Sequence, residues 1–141
     1  MSDRQVAIMT WAFLRLEHDT AEPQEVTALL GVAPTSSVRR GGFPACVAGG
    51  PFPWNVWLLS SEHSVSSRDS LAHIRWLLAS IGPRGPELGR LRDRGYRMWI
   101  HCVWAGRGGY GGPELTPDVM RALADLGIDL WFDVFILGGQ C

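Results

Sequence analysis

Four histidines, three cysteines, fourteen acidic residues and thirteen basic ones are the groups in this 141-residue sequence that could do chemistry. Their spacing excludes most of it. A hydrolase needs a nucleophile beside an oriented base. The chain has no G-x-S-x-G, no H-E-x-x-H and no Cys-His pair in a supporting motif. His101 and Cys102 adjoin, so on a strand they point to opposite faces and cannot form a dyad. Cys102 reads as a small buried hydrophobe. Lysine is absent, every basic residue being Arg, which excludes Schiff-base chemistry and a P-loop lysine. His18, Asp19, His63, His73, His101 and Asp133 are the candidate metal ligands, but none shows H-x-H or H-x-x-x-H spacing. The expectation is no metal and no cofactor. A hydrogen-bonded His101–Asp133 pair is expected if their strands share a face, and His73 is read as structural. Gly106–Gly112 (GRGGYGG) lacks the register of a phosphate loop. It reads as a flexible connection, with an RGG-like nucleic-acid segment as the alternative.

The elements that must position these groups follow from periodicity. Residues 6–16 are β-branched and aromatic, which predicts a long strand. Pro23 suits the start of a short helix carrying Val26, Leu29 and Leu30, and Gly31 its left-handed end. Residues 32–53, rich in Pro and Gly, predict a long loop. A second strand spans 54–61. Asp69 and its neighbours can cap a longer helix with Leu71, Ile74, Leu78 and Ile81 inward. A shorter helix is expected over 86–94, its Arg side chains outward in a solvated face. A third strand covers 96–104. Thr116-Pro117 starts another helix that Gly127 ends, and a fourth strand covers 128–137.

The fold class expected is α+β, a single domain over 1–141. Its sheet is mostly antiparallel and four-stranded, with helices on one face. The similar helix borders suggest two β-α-β halves, in a ferredoxin-like or related arrangement; accidental likeness of common helix ends is the alternative.

Alternation splits each strand into two faces. One is aliphatic and belongs under the helices, as in Ile128, Leu130, Phe132, Val134 and Ile136. The other is expected to carry Trp11, Trp57, Trp99 and Trp131 among Arg15, Arg97, His101, Asp129, Asp133 and Asn55. Tryptophan offers large area at low rotamer cost, so an open face of this kind suits binding. The alternative is that the 32–53 loop folds Phe43, Phe52 and Trp54 over it as a second small core.

The order of these pieces resembles a set of small bacterial proteins catalogued as domain of unknown function four-two-seven-nine. The matching residues are Glu22-Pro23, Val26-Thr27, Leu29-Leu30-Gly31-Val32 and Pro34-Thr35, then Trp54, Trp57 and Leu59-Ser60-Ser61. Leu71, His73-Ile74 and Leu77-Leu78 follow, then Leu115-Thr116-Pro117, Leu123-Ala124, Leu126-Gly127 and Asp133-Val134-Phe135. The resemblance covers nearly the whole chain. It implies a shared fold and a bacterial origin, and it hands over no activity. Phe135 stands where such families commonly carry Tyr, so it implies no hydroxyl role there.

A net charge of −1 excludes a strongly basic nucleic-acid protein. No apolar run approaches the ~20 residues a bilayer needs, and no signal-peptide pattern opens the chain. Three widely spaced cysteines fit a reducing compartment, so a cytoplasmic protein is expected. Taken together, these features favour a non-enzymatic binding protein over an enzyme. Its binding residues would be Trp11, Arg15, Trp57, Arg97, Trp99, His101, Trp131 and Asp133. Its partner would be a protein, as for an immunity-type protein that neutralises a toxin, or a second copy of itself. An RNA- or nucleotide-binding module on the same tryptophans is less favoured, because Asp129 and Asp133 would repel phosphate. An enzyme built around His101 and Asp133 is the third reading.

Overall fold

A computed structural model describes residues 7–42, 53–107 and 111–137. The elements are β1 (Met9–His18), α1 (Gln24–Leu30), β2 (Ser36–Val38), β3 (Asn55–Ser60) and α2 (Ser70–Ile81). After a single 3-10 turn come α3 (Gly85–Asp93), β4 (Arg97–Gly106), α4 (Pro117–Leu126) and β5 (Asp129–Ile136). Phe43, Cys46, Phe52, Cys141, the first residue of the 6–16 run and the centre of the glycine-rich loop lie outside the described residues.

Among the described residues the sheet has five strands, not four, in the order β2-β3-β1-β4-β5. The added strand is β2, three residues inside the segment expected to be all loop. Its Ser-Ser-Val composition carries little strand signal. It forms because β3 offers it a free ladder, with Ser37 opposite Trp57. The sheet is mixed. β1 runs antiparallel to β3 and β4, whereas β5 runs parallel to β4. The helix α4 supplies the crossover that a parallel neighbour requires.

The two halves are not equivalent. Strands β4 and β5, joined by α4, are adjacent, whereas β1 and β2, joined by α1, are separated by β3. The likeness between them is a likeness of helix ends. Gly31 and Gly127 both adopt left-handed φ, 66° and 67°, and their amides bond back to Thr27 and to Leu123 and Ala124. Arg92 donates to the carbonyls of Leu126 and Gly127 at 2.8 and 3.0 Å. It finishes α4 electrostatically while staying in the exposed Arg face expected for this helix.

One buried cluster joins the sheet to all four helices. Leu14, Leu16, Leu59 and Ile100 meet Leu71, Ile74, Leu77 and Ile81 of α2, with Val26 and Leu30 of α1, Leu88 and Leu91 of α3, and Val119 and Leu123 of α4. Leu77 fills the place expected for Leu78, which packs at the margin. Cys102 lies in this core, and burial pushes its thiol up to about 11.

A buried polar chain pins α2 to the sheet. The Ala12 amide donates to Ser61 Oγ at 3.0 Å, which in turn lies 2.6 Å from His73 Nδ1. His73 Nε2 lies 2.7 Å from the Ser67 carbonyl. A carbonyl only accepts, so Nε2 carries the proton and Nδ1 accepts the Ser61 hydroxyl. Every polar atom of this chain is thereby satisfied, and His73 is structural.

Candidate functional site

Register determines which side chains share the face away from the helices. Phe13, His101 and Trp131 lie in one cross-strand row over β1, β4 and β5. Arg15, Trp99 and Asp129 form the next row, and Trp11, Val103 and Asp133 the one beyond His101. Glu17 and Arg97 face each other one row past Arg15.

Within this face the aromatic groups are already stacked. The Phe13 and His101 rings are 5.0 Å apart and 3° from parallel. Those of Trp99 and Trp131 are 4.5 Å apart at 19°. Offset stacks of this kind are worth about 0.5–1.5 kcal/mol beyond their buried area. The Arg15 guanidinium lies over the Trp99 ring, 5.4 Å from its centroid. Both β4 residues lean the same way along β5: His101 reaches Asp133 and Trp99 reaches Trp131, each the diagonal neighbour and not the residue directly opposite.

Charges on this face are largely consumed within it. Arg15 donates to Glu17 Oε2 at 2.9 Å, and Arg97 donates to Glu17 Oε1 at 2.9 Å and to Asp19 at 3.2 Å. Glu17 is almost buried, and both of its oxygens are filled. Its bond to Glu17 holds the Arg97 guanidinium above its usual range, with Asp19 adding to it. Arg97 also stands 5.4 Å from the Trp54 ring, at the end of the face.

Six of the eight residues expected here are therefore together: Trp11, Arg15, Trp99, His101, Trp131 and Asp133. Arg97 adjoins them within its ion pairs. Trp57 is a correction. It is opposite Leu16, 1% exposed, inside the helix-side core, with its indole N–H donating to Thr27 Oγ1 at 3.0 Å. Asn55 is corrected with it. Its amide donates to the Ala21 carbonyl at 2.9 Å and its oxygen accepts from the Arg40 amide, so a buried Asn there is satisfied.

Sequence reasoning misses three features. Phe13 shares this face by alternation but is not among the binding residues expected there, and it completes the stack. Glu17 organises the two arginines, a role visible only once β4 is beside β1. The third is β5 itself. Phe132, Val134 and Ile136 are expected under the helices, yet they are 40%, 48% and 45% exposed, because α4 covers only the start of the strand, at Ile128 and Leu130.

The candidate metal ligands do not converge. His18 accepts the amides of Thr20 and Ala21 at Nδ1, and its Nε2 lies 2.9 Å from the Arg94 carbonyl. Among the described residues no group of three His, Cys, Asp or Glu could hold a metal ion. Nor is any helix among them long and apolar enough to cross a membrane.

The family model described as Domain of unknown function (DUF4279) matches residues 7–137. No curated protein matches the chain, and no solved structure does. The chain belongs to the DUF4279 family of bacterial domains.

Proposed function

We propose that this chain is a non-enzymatic binding protein whose open sheet face docks a protein partner. The observation that carries the reading is the pre-stacked aromatic centre, Phe13–His101 beside Trp99–Trp131, with Trp131 half exposed. Ringing it are charges that already have partners. That is the anatomy of a binding hot spot: rigid aromatic area within a polar rim. Trp11, Arg15, Arg97 and Asp133 supply the rim. An immunity-type role, in which the partner is a toxin, is the concrete form we favour, by analogy with other small single-domain chains lacking catalytic motifs. A cytoplasmic location goes with it. We also read β1 to β4 with α1 and α2 as a ferredoxin-like unit, to which α4 and β5 are added.

Phosphate-bearing ligands suit the face less well. Arg15 and Arg97 are engaged by Glu17 and Asp19, while Asp129 and Asp133 add negative charge. The His101–Asp133 pair reads as a contact that holds ring orientation, since no nucleophile adjoins it among the described residues.

The test is capture of a partner by the immobilised wild-type chain, repeated with Trp99→Ser and Trp131→Ser. Retention should fall about tenfold or more in each variant, the loss expected when a hot-spot aromatic is truncated. Retention that survives both substitutions would contradict the reading. So would retained material that is nucleic acid and leaves as salt rises.

A further inference from the structure

The two edges of the sheet are treated differently. At one edge β2 is three residues long, polar, and followed by Arg39 and Arg40. Short polar edges with nearby charge are how monomeric sheets avoid pairing with one another. At the other edge β5 is eight residues long and holds no Pro, no Gly and no basic residue. Among the described residues nothing pairs with its outer side.

Hydrogen-bond direction shows what that outer side offers. The Leu137 amide donates to the Gly106 carbonyl at 2.7 Å, so odd-numbered residues of β5 turn their backbone groups toward β4. By alternation, Leu130, Phe132, Val134 and Ile136 turn theirs outward. Side chains beside this open ladder are apolar on the helix-side face and mostly apolar on the other, where Asp129 and Asp133 are the exceptions. Trp131, Phe132, Val134, Phe135, Ile136 and Leu137 are 40–51% exposed. An incoming strand would need to be mostly apolar on both faces too, and β5 meets that requirement itself.

We infer that β5 is a self-pairing edge: two copies of this chain join β5 to β5 antiparallel, about a two-fold axis at Val134, into one continuous ten-stranded sheet. A two-fold there opposes Val134 to Val134, Phe132 to Ile136 and Trp131 to Leu137, with Asp133 against Phe135. An axis at Asp133 would set two carboxylates opposite each other, which is destabilising. An axis at Phe132 would leave Ile136 and Leu137 outside the overlap. At roughly 200 Å² per side chain, about 500 Å² of apolar surface per copy is available. Were all of it covered, a symmetric pair would bury about 1,000 Å², the lower limit for a specific interface.

The mass of the purified full chain in solution tests this at increasing concentration. Wild type should approach twice the 15.5 kDa chain mass. Val134→Lys sets two ammonium groups against each other across the axis and should weaken the dimer about tenfold or more. Val134→Pro removes only an outward-facing N–H and should do likewise. Circular dichroism should be unchanged in both. Trp11→Ser, on the open face away from β5, should leave the mass unchanged. A wild type monomeric at every concentration would overturn the inference. Dimers in both Val134 variants would too, as would a dimer dissolved by Trp11→Ser. Trp131 belongs to both surfaces, so capture of a foreign partner is read separately, from Trp99→Ser and from position 11.

Discussion

His101 Nε2 lies 2.5 Å from Asp133 Oδ2 while its ring lies flat on Phe13, so one imidazole ties β1, β4 and β5 together on the open face. The two contacts differ in worth. Asp133 is half exposed, and exposed ion pairs contribute at most about 1 kcal/mol. The stack is sheltered, since His101 is only 17% exposed. Asp133→Asn should therefore cost under about 1 kcal/mol in urea unfolding, and His101→Ala about 1–2 kcal/mol. The reverse ranking would mean that the hydrogen bond to Asp133, not the stack, organises the face.

Trp57 and Trp131 make the matching comparison across the sheet. Trp57 is sealed in the core, so Trp57→Ala should cost about 3–5 kcal/mol. Trp131 is half exposed at the edge strand, so Trp131→Ala should cost only about 1–2 kcal/mol, its stack on Trp99 included, with a further effect in partner capture. Chemical denaturation of both variants checks this, and equal losses would contradict the face assignment.

The chain Ala12–Ser61–His73–Ser67 predicts a second stability signature. His73→Ala leaves the buried Ser61 hydroxyl proton without its acceptor, while the exposed Ser67 carbonyl turns to water, at about 1–3 kcal/mol. Ser61→Ala leaves the Ala12 amide and His73 Nδ1 unmet, at about 1–3 kcal/mol. Together they should cost less than the sum of the two, as members of one network do. Full additivity in a double-mutant cycle would show that the network does not act as a unit.

Cys102 gives a pH dependence. Burial raises its thiol from 9.0 to about 11, the Thr10 bond lowering it slightly. Between these values the unfolded chain gives up the thiol proton and the folded chain keeps it. The folded state thus binds more protons, and stability falls as pH rises from about 9 to about 11. The share lost is about 2–3 kcal/mol at most. Cys102→Ala should remove that alkaline decline from the difference between the two proteins. A wild type and variant that decline in parallel would contradict it.

Much of this architecture is legible in the sequence because helix borders and strand alternation are local. Pro117, Gly31 and Gly127 act where they stand, and alternation along β1 and β4 by itself separates Phe13, Trp99 and His101 from Leu14 and Ile100. What local pattern cannot say is which side of a strand turns inward when both sides are apolar. In β3 and the residue before it, Trp54, Val56 and Leu58 oppose Asn55, Trp57 and Leu59, and the polar Asn55 suggests the wrong side. It is buried because Ala21 and Arg40 satisfy it. Strand β2 is hidden for another reason, since three polar-rich residues become a strand only when a neighbour supplies the ladder. The exposure of Val134 and Ile136 depends on how far α4 reaches along β5, a length set by packing and not by the residues of β5.

The most direct test of the open face as a protein-docking surface is site-specific photocrosslinking. A benzophenone side chain is placed at Trp11, on that face and away from the β5 edge. A second chain carries it at Met120, exposed on α4 on the helix side. Both are irradiated in the bacterial lysate and the adducts resolved by mass. The predicted result is a defined protein adduct of unlike mass at position 11 and none at position 120. Equal labelling at both positions, or adducts only to nucleic acid, would contradict the account.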